Sequence, residues 1–185
     1  MSQSVQLISS SNQVVIGHIV PMEQHHYDEV NAIWKPILVA TEQPDAGWIW
    51  DYKLRQTQRD ERYEAYVLLV DEFPQGLLFL ETRWHRSHWT QRWPLVYVEA
   101  IATAPWNRTV IEQPPWFKRV GASLLLFARQ RSVDLGYEGR VGLHSLPDAE
   151  SFYRKRGMTE HGPDPEKEDL VYFEYNAIPS QLPET

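Results

Sequence analysis

The chain has 185 residues, 42% of them hydrophobic and 23% charged, with a formal net charge of −7 and no cysteine. That length and balance suit one domain with one sizeable core. The missing cysteine excludes disulfides, a cysteine metal site and an acyl-cysteine intermediate, and it fits a reducing cytoplasm. An acidic chain lacks the cationic surface by which proteins displace counterions from nucleic acid. No apolar run approaches the roughly 20 residues that span a bilayer, and residues 1–11 lack the basic and apolar regions of a signal peptide. The expectation is a cytoplasmic protein with neither a nucleic-acid nor a membrane partner.

In chain order, residues 14–20 are short and β-branched, a first strand stopped by Pro21. Tyr27, Val30, Ile33, Trp34 and Ile37 recur at helical spacing, with Pro36 expected to end or kink the helix. A second short helix is expected after Pro44-Asp45, carrying Trp48, Tyr52 and Arg55 on one face. A hairpin follows, with residues 66–70 and 77–82 as strands and Phe73-Pro74-Gln75-Gly76 as the turn. Residues 95–103 are apolar at both parities, as in a central strand covered on both faces. A proline-containing loop then leads to Gly121 and to a helix through Leu124, Leu125, Ala128, Ser132 and Leu135, closed by Gly136. Residues 140–144 read as a strand. Ser145 and Asp148 at capping-box spacing start a helix with Phe152 and Tyr153, and residues 170–175 form a last strand.

This order implies at least one parallel βαβ crossover within a mixed sheet, hence an α/β or α+β class. Residues 1–176 read as one domain and 177–185, with Pro179 and Pro183, as an untethered tail. Many of the eight tryptophans flank expected loops, where large rings close a pocket or pack a small core.

Glu99 is the most informative acid. It interrupts the most apolar strand, where an unpaired buried carboxylate costs several kcal/mol, so it must face a polar cavity, a cation or a hydrogen-bonding cluster. A salt bridge to an arginine on a neighbouring strand would satisfy it equally. His85 and His88 have metal-like spacing but no third ligand nearby, and read as loop residues; His25-His26 reads as a solvated helix start, and His144, at a strand end, is left unassigned between acting on protons and a hydrogen-bonded support. Neither a nucleophile elbow nor a complete P-loop is present.

The motifs between residues 95 and 158 come in a specific order. A central strand ends in Ala102-Thr103-Ala104-Pro105, followed by Val120-Gly121-Ala122-Ser123-Leu124-Leu125, a long helix, a strand, and Ser151-Phe152-Tyr153-Arg154-Lys155-Arg156-Gly157-Met158. This resembles the GNAT superfamily of N-acetyltransferases, in which a phosphate loop of the form [QR]-x-x-G-x-[GA] precedes a helix ending F-Y-x-x-x-G-F. The sequence departs from that pattern at Trp116 and Arg119, which stand where the loop has Gln or Arg and its first glycine. It departs also in the long loop with Pro114-Pro115, and at Leu146, where an asparagine is frequent.

The resemblance implies a mixed, mostly antiparallel sheet of six to seven strands flanked by helices. It implies acetyl-CoA as co-substrate, no metal, and direct attack of a primary amine on the thioester. Backbone donors near Ile101, Ala102 and Thr103 would polarise the carbonyl. Val120, Gly121, Ala122 and Ser123 would offer N–H groups to the pyrophosphate, with Lys118 and Arg119 adding charge; a plain loop–helix junction is the alternative. Glu99 would be a general base or amine anchor, and Tyr153 would protonate the departing thiolate unless it is only a core tyrosine. Trp48 or Trp50, with Asp51, would hold a cationic small molecule or peptide amine, or merely pack a helix on the sheet. A homodimer is left open. The rival reading is a non-catalytic coenzyme-binding or regulatory module.

Overall fold

The computed structural model describes residues 2–178. The elements in order are β1 (Gln3–Ser9), β2 (Val14–Pro21), α1 (Gln24–Ala40), α2 (Trp50–Arg59), β3 (Tyr63–Val70), β4 (Phe73–Glu81), β5 (Val96–Thr103), β6 (Phe117–Lys118), α3 (Val120–Asp134), β7 (Val141–Ser145), α4 (Glu150–Lys155), β8 (Thr159–Asp164) and β9 (Leu170–Tyr175). The strand order is β6-β1-β2-β3-β4-β5-β7-β9-β8. β5 and β7 are parallel, joined through α3, and the hairpin and edge pairs are antiparallel. The mixed α/β class and the mostly antiparallel sheet are as expected, but there are nine strands rather than six or seven. The additional ones are β1, β6 and β8.

Two compact units divide the chain, Met1–Glu81 with Glu99–Phe127 and Thr82–Val98 with Ala128–Thr185. The first holds the core of α1, α2, β3, β4 and the second half of β5. There α1 buries His26, Val30, Trp34 and Leu38, an i, i+4 stripe. Because Trp34 and Leu38 are both buried in this core, the helix continues through Pro36 instead of ending there; Pro36 itself is exposed, where water can serve the carbonyl it leaves unpaired. His26 is buried rather than solvated, its Nδ1 accepting the Glu23 N–H at 3.0 Å as part of the cap of α1.

The second helix starts at Trp50, so Trp48 precedes it, and its buried face is Trp50 and Leu54 while Tyr52 and Arg55 are exposed. The β3–β4 turn is Asp71-Glu72, both at positive φ, with Val70 opposite Phe73; this is the type I′ pattern that matches strand twist. The expected turn residues Phe73 to Gly76 instead lie in β4. Gln75 is the extra residue of a bulge, since Leu68 pairs with Gly76 and Leu69 with Pro74.

In the second unit β7, β9 and β8 pair in register beside the first residues of β5. β5 and β7 pair only at Val96↔Val141 and Tyr97↔Gly142. Helix α4 begins at Glu150 after a 3-10 turn and has no side-chain cap; Ser145 ends β7 and donates to the Leu146 carbonyl, so the expected Ser145–Asp148 capping box does not form. Of the expected tail, the Ile178 N–H donates to the Glu138 carbonyl at 2.8 Å, and residues 179–185 lie outside the described residues.

Candidate active site

Residues 104–119, read as a long loop, are an ordered excursion fixed by Gln75. The bulge turns that side chain inward, 4% exposed, where its Oε1 accepts Trp106 Nε1 at 2.9 Å and Asn107 Nδ2 at 3.0 Å. Asn107 Oδ1 in turn accepts the Phe117 N–H at 2.9 Å, and the Trp116 N–H reaches the Trp106 carbonyl at 3.0 Å. Phe117 and Lys118 then pair with Ser9 and Ile8 of β1. The chain is therefore anchored immediately before α3. Arg119 links the two at φ 75, the left-handed conformation that a glycine adopts freely, which accounts for glycine at this place in the motif. The Ser123 N–H closes on the Arg119 carbonyl at 2.8 Å, leaving the Val120, Gly121 and Ala122 donors of the first turn without backbone acceptors of their own helix. Val120, Ala122 and Ser123 are buried and Gly121 half-buried, while Lys118 and Arg119 are exposed. Gly76 makes this packing possible. A Cβ there would lie 2.7 Å from Val120 Cγ1 and 2.8 Å from Leu124 Cδ1.

On β5, Ala102 is buried and Glu99, Ile101 and Thr103 are half-buried. A cation of α2 that the sequence reading missed, Lys53, is influenced by the Glu99 carboxylate. Lys53 places its Nζ 5.2 Å from the Phe79 ring centroid and 5.9 Å from that of Trp48. Burial lowers the Lys53 ammonium below the usual lysine range, and the Glu99 carboxylate partly opposes this. Tyr63 completes the group: its ring stacks on Phe79 at 5.3 Å, and burial together with Glu99 raises its phenol. Trp48 and Phe79 are thus brought beside one ammonium. Trp50 is instead a core residue, 7% exposed, and Asp51 pairs with Arg55 one turn on. The pocket that both indoles line has room for about 40 Å³, far below the roughly 300 Å³ at which small-molecule sites begin.

The end of β5 is held by a second missed group. The Arg108 guanidinium forms a paired fork with Asp45, 2.7 Å to each carboxylate oxygen, and also donates to the Thr103 carbonyl at 2.8 and 3.0 Å and to Gln43 Oε1 at 3.2 Å. A planar fork matched to a carboxylate is the strongest ion-pair geometry available to a side chain.

In the second unit Tyr153 is 5% exposed and packs against Phe173 and Phe152; it, not the half-buried Phe152, is the core residue of the pair. Burial pushes its phenol well above the usual tyrosine range, so it holds its proton at neutral pH. Among the described residues its hydroxyl has no hydrogen-bond partner. His144, left open by the sequence, has both ring nitrogens engaged: its Nε2 donates to Asp164 at 3.0 Å, leaving Nδ1 to accept the Tyr97 hydroxyl at 2.6 Å. His85 stacks on Tyr97 and His88 on Tyr172, each at 3.9 Å. Fully buried Glu174 ties this loop down, accepting from the Ser87 hydroxyl, the His88 N–H at 2.8 Å and the Tyr172 hydroxyl at 3.1 Å. Among the described residues no group of three or more His, Cys, Asp or Glu is placed to hold a metal ion, and no helix is long and apolar enough to cross a membrane.

No protein-family model matches the sequence, and no curated protein matches it. Solved structures do match in fold. The PaiA N-acetyltransferase from Thermoplasma acidophilum, in complex with coenzyme A, is similar with a TM-score of 0.59 and 14% identity, covering 86% of this chain and 98% of that one. An acetyltransferase from Streptococcus agalactiae has a TM-score of 0.60 at 13% identity, covering 88% and 98%. The Bacillus subtilis acetyltransferase in complex with CoA has a TM-score of 0.52 at 16% identity, covering 86% and 98%. The fold is the one the motif order suggested.

Proposed function

We propose that the protein is an N-acetyltransferase of the GNAT type, moving an acetyl group from acetyl-CoA to a primary amine by direct attack. The observation that carries this reading is the anchored turn at residues 119–123, where a left-handed Arg119 presents the free first-turn donors of α3 in the segment that the resemblance assigns to pyrophosphate. Several of the structures that share this fold contain coenzyme A, which supports the same ligand here. When bound, acetyl-CoA supplies an activated acetyl thioester.

The chain's own residues divide the remaining work. An alkyl ammonium cannot attack until it loses a proton, and Glu99, a half-buried carboxylate on β5, accepts it. Backbone donors at Ile101, Ala102 and Thr103 orient the acetyl carbonyl. Tyr153 keeps its proton at neutral pH and has a hydroxyl uncommitted to any described residue, which suits it to protonate the departing sulfur. Lys118 and Arg119, both exposed, add mobile positive charge at the phosphates. The competing reading is a coenzyme-binding module without catalysis. It is favoured by Trp116, whose ring lies 5.3 Å from Trp106 and forms part of the loop's packing where the motif has Gln or Arg. Incubating the protein with acetyl-CoA and a library of primary amines, while following thiol release, decides between them. Amine-dependent release supports the transferase; coenzyme binding with no release for any amine supports the module.

A further inference from the structure

Three side chains of the second unit are bonded in series, and the steps described so far give them no task. The Tyr97 hydroxyl donates to His144 Nδ1 at 2.6 Å, and His144 Nε2 donates to Asp164 at 3.0 Å. The Glu166 N–H, with a smaller share from His144, holds the Asp164 carboxyl below its ordinary value, so it is ionised and only accepts. That fixes the imidazole hydrogen on Nε2 and leaves Nδ1 as the acceptor. Exposure rises along the series, from 4% at Tyr97 through 8% for the His144 side chain to 27% for that of Asp164. The other groups around His144 are the Tyr172 ring at 5.0 Å on β9, Lys167 of the β8–β9 connection and His88 of the β4–β5 connection. Burial lowers the imidazole below 6.5, Asp164 opposes this, and Lys167 and His88 add to it. His144 is therefore neutral at pH 7, with a basic nitrogen turned to a buried phenol. Tyr97 is also the last residue of β5 that pairs with β7, opposite Gly142. It stands two residues before Glu99 on β5, so the two side chains leave one face of that strand about 7 Å apart.

Acetyl transfer takes two protons from the amine and returns one to sulfur. Glu99 was given the first, which leaves before attack. As the C–N bond forms, the nitrogen becomes cationic again and must lose another. We propose that Tyr97, His144 and Asp164 form a general-base triad that takes this second proton. The proposal rests on the acetyltransferase reading and adds a proton path to it. The nitrogen's N–H bond breaks to the Tyr97 oxygen while the Tyr97 hydrogen passes to His144 Nδ1, so the phenol is regenerated in the same step. Asp164 stays ionised and neutralises the imidazolium. Because burial keeps that imidazolium more acidic than an ordinary one, it returns its proton to water once the amide has left.

The test is the pH profile of kcat for acetyl-CoA and the best amine. Wild-type protein should lose rate on the acid side below 6.5, as His144 takes a proton from water instead. Asp164→Asn still caps the turn at residues 165–167 but removes the charge that raises the imidazole, so this acid limb should move to lower pH. Tyr97→Phe should lower kcat by on the order of 100-fold and remove the limb, because His144 is cut off from the nitrogen. A merely structural role would lower the melting temperature and leave the limb in place. An amine that is neutral at the assay pH needs no first deprotonation, so it should relieve Glu99→Gln and not Tyr97→Phe. Wild-type turnover by Tyr97→Phe, relief of that variant by the neutral amine, or a limb unmoved in Asp164→Asn would overturn the triad. If Tyr97→Phe does not fold, the limb of Asp164→Asn decides alone. Failure of the wild type to release thiol with any amine is a separate result, which overturns the transferase reading and the triad with it.

Discussion

Replacing Arg108 with methionine removes a charge while keeping most of the side-chain length, and its cost can be worked from the contacts. The guanidinium is 14% exposed and its partner Asp45 8%. Both carboxylate oxygens are engaged at 2.7 Å, and the Thr103 carbonyl takes two more donors. Without Arg108, a buried carboxylate and a buried carbonyl lose their partners together. Breaking one side of such a pair costs about 3–5 kcal/mol, mainly as the penalty of leaving the other charge uncompensated. For a chain of this size that corresponds to a fall in melting temperature of about 6–20 °C. Urea titration of Arg108→Met measures the loss. The double variant Arg108→Met with Asp45→Leu should recover a large part of it, because the stranded charge is gone. A loss below about 1 kcal/mol, the range of an exposed ion pair, would refute the claim that this fork holds the end of β5 in place.

Other perturbations act on separate parts. Gly76→Ala places a Cβ against Val120 and Leu124; overpacking of this kind costs about 1–3 kcal/mol, and titration calorimetry should show weaker coenzyme A binding through the displaced first turn of α3. Tyr153→Phe should lower kcat by on the order of 100-fold while leaving coenzyme affinity nearly unchanged, since it deletes a proton donor and almost no volume; wild-type turnover would remove the general-acid assignment. Burial lowers His144 and His161 below 6.5 in the folded state, against the opposing fields of Asp164 and Glu174. Below that pH the unfolded chain binds more protons than the folded one, so stability falls as pH drops through 6.5 toward the folded values. Denaturant midpoints at pH 7.5 and 5.5 should show the loss, and His144→Asn should reduce it.

Most of the second half of the fold was readable in the sequence because its elements alternate and most have a strong side-chain signature. β8 had none: it contains Gly162 and Pro163 and none of Val, Ile, Leu, Met, Phe, Tyr or Trp, and it exists because its backbone pairs with β9. β6 is two residues long and is defined only by its partner β1. β1 itself does alternate, with Val5 and Leu7 more buried than Ser4 and Gln6, a pattern that its polar neighbours obscured. The β3–β4 turn misled because Pro74 and Gly76 are turn-forming residues used here for a bulge and for a close helix approach. At the site, Glu99 was legible since a carboxylate in an apolar strand requires a reason. Lys53 was not, because a lysine in a polar helix looks solvated until the neighbouring rings are known. Arg108 and Asp45 are separated by 63 residues, and nothing local marks either as a partner.

Acetyl transfer to an amine is the central claim, and direct measurement of coenzyme binding coupled to turnover tests it best. Wild-type protein should bind coenzyme A in titration calorimetry and release thiol from acetyl-CoA only when an amine acceptor is present. Gly121→Asp, which adds bulk and negative charge at the first turn of α3, should lose both. Absence of coenzyme binding at millimolar concentration, or equal binding by Gly121→Asp, would contradict the account.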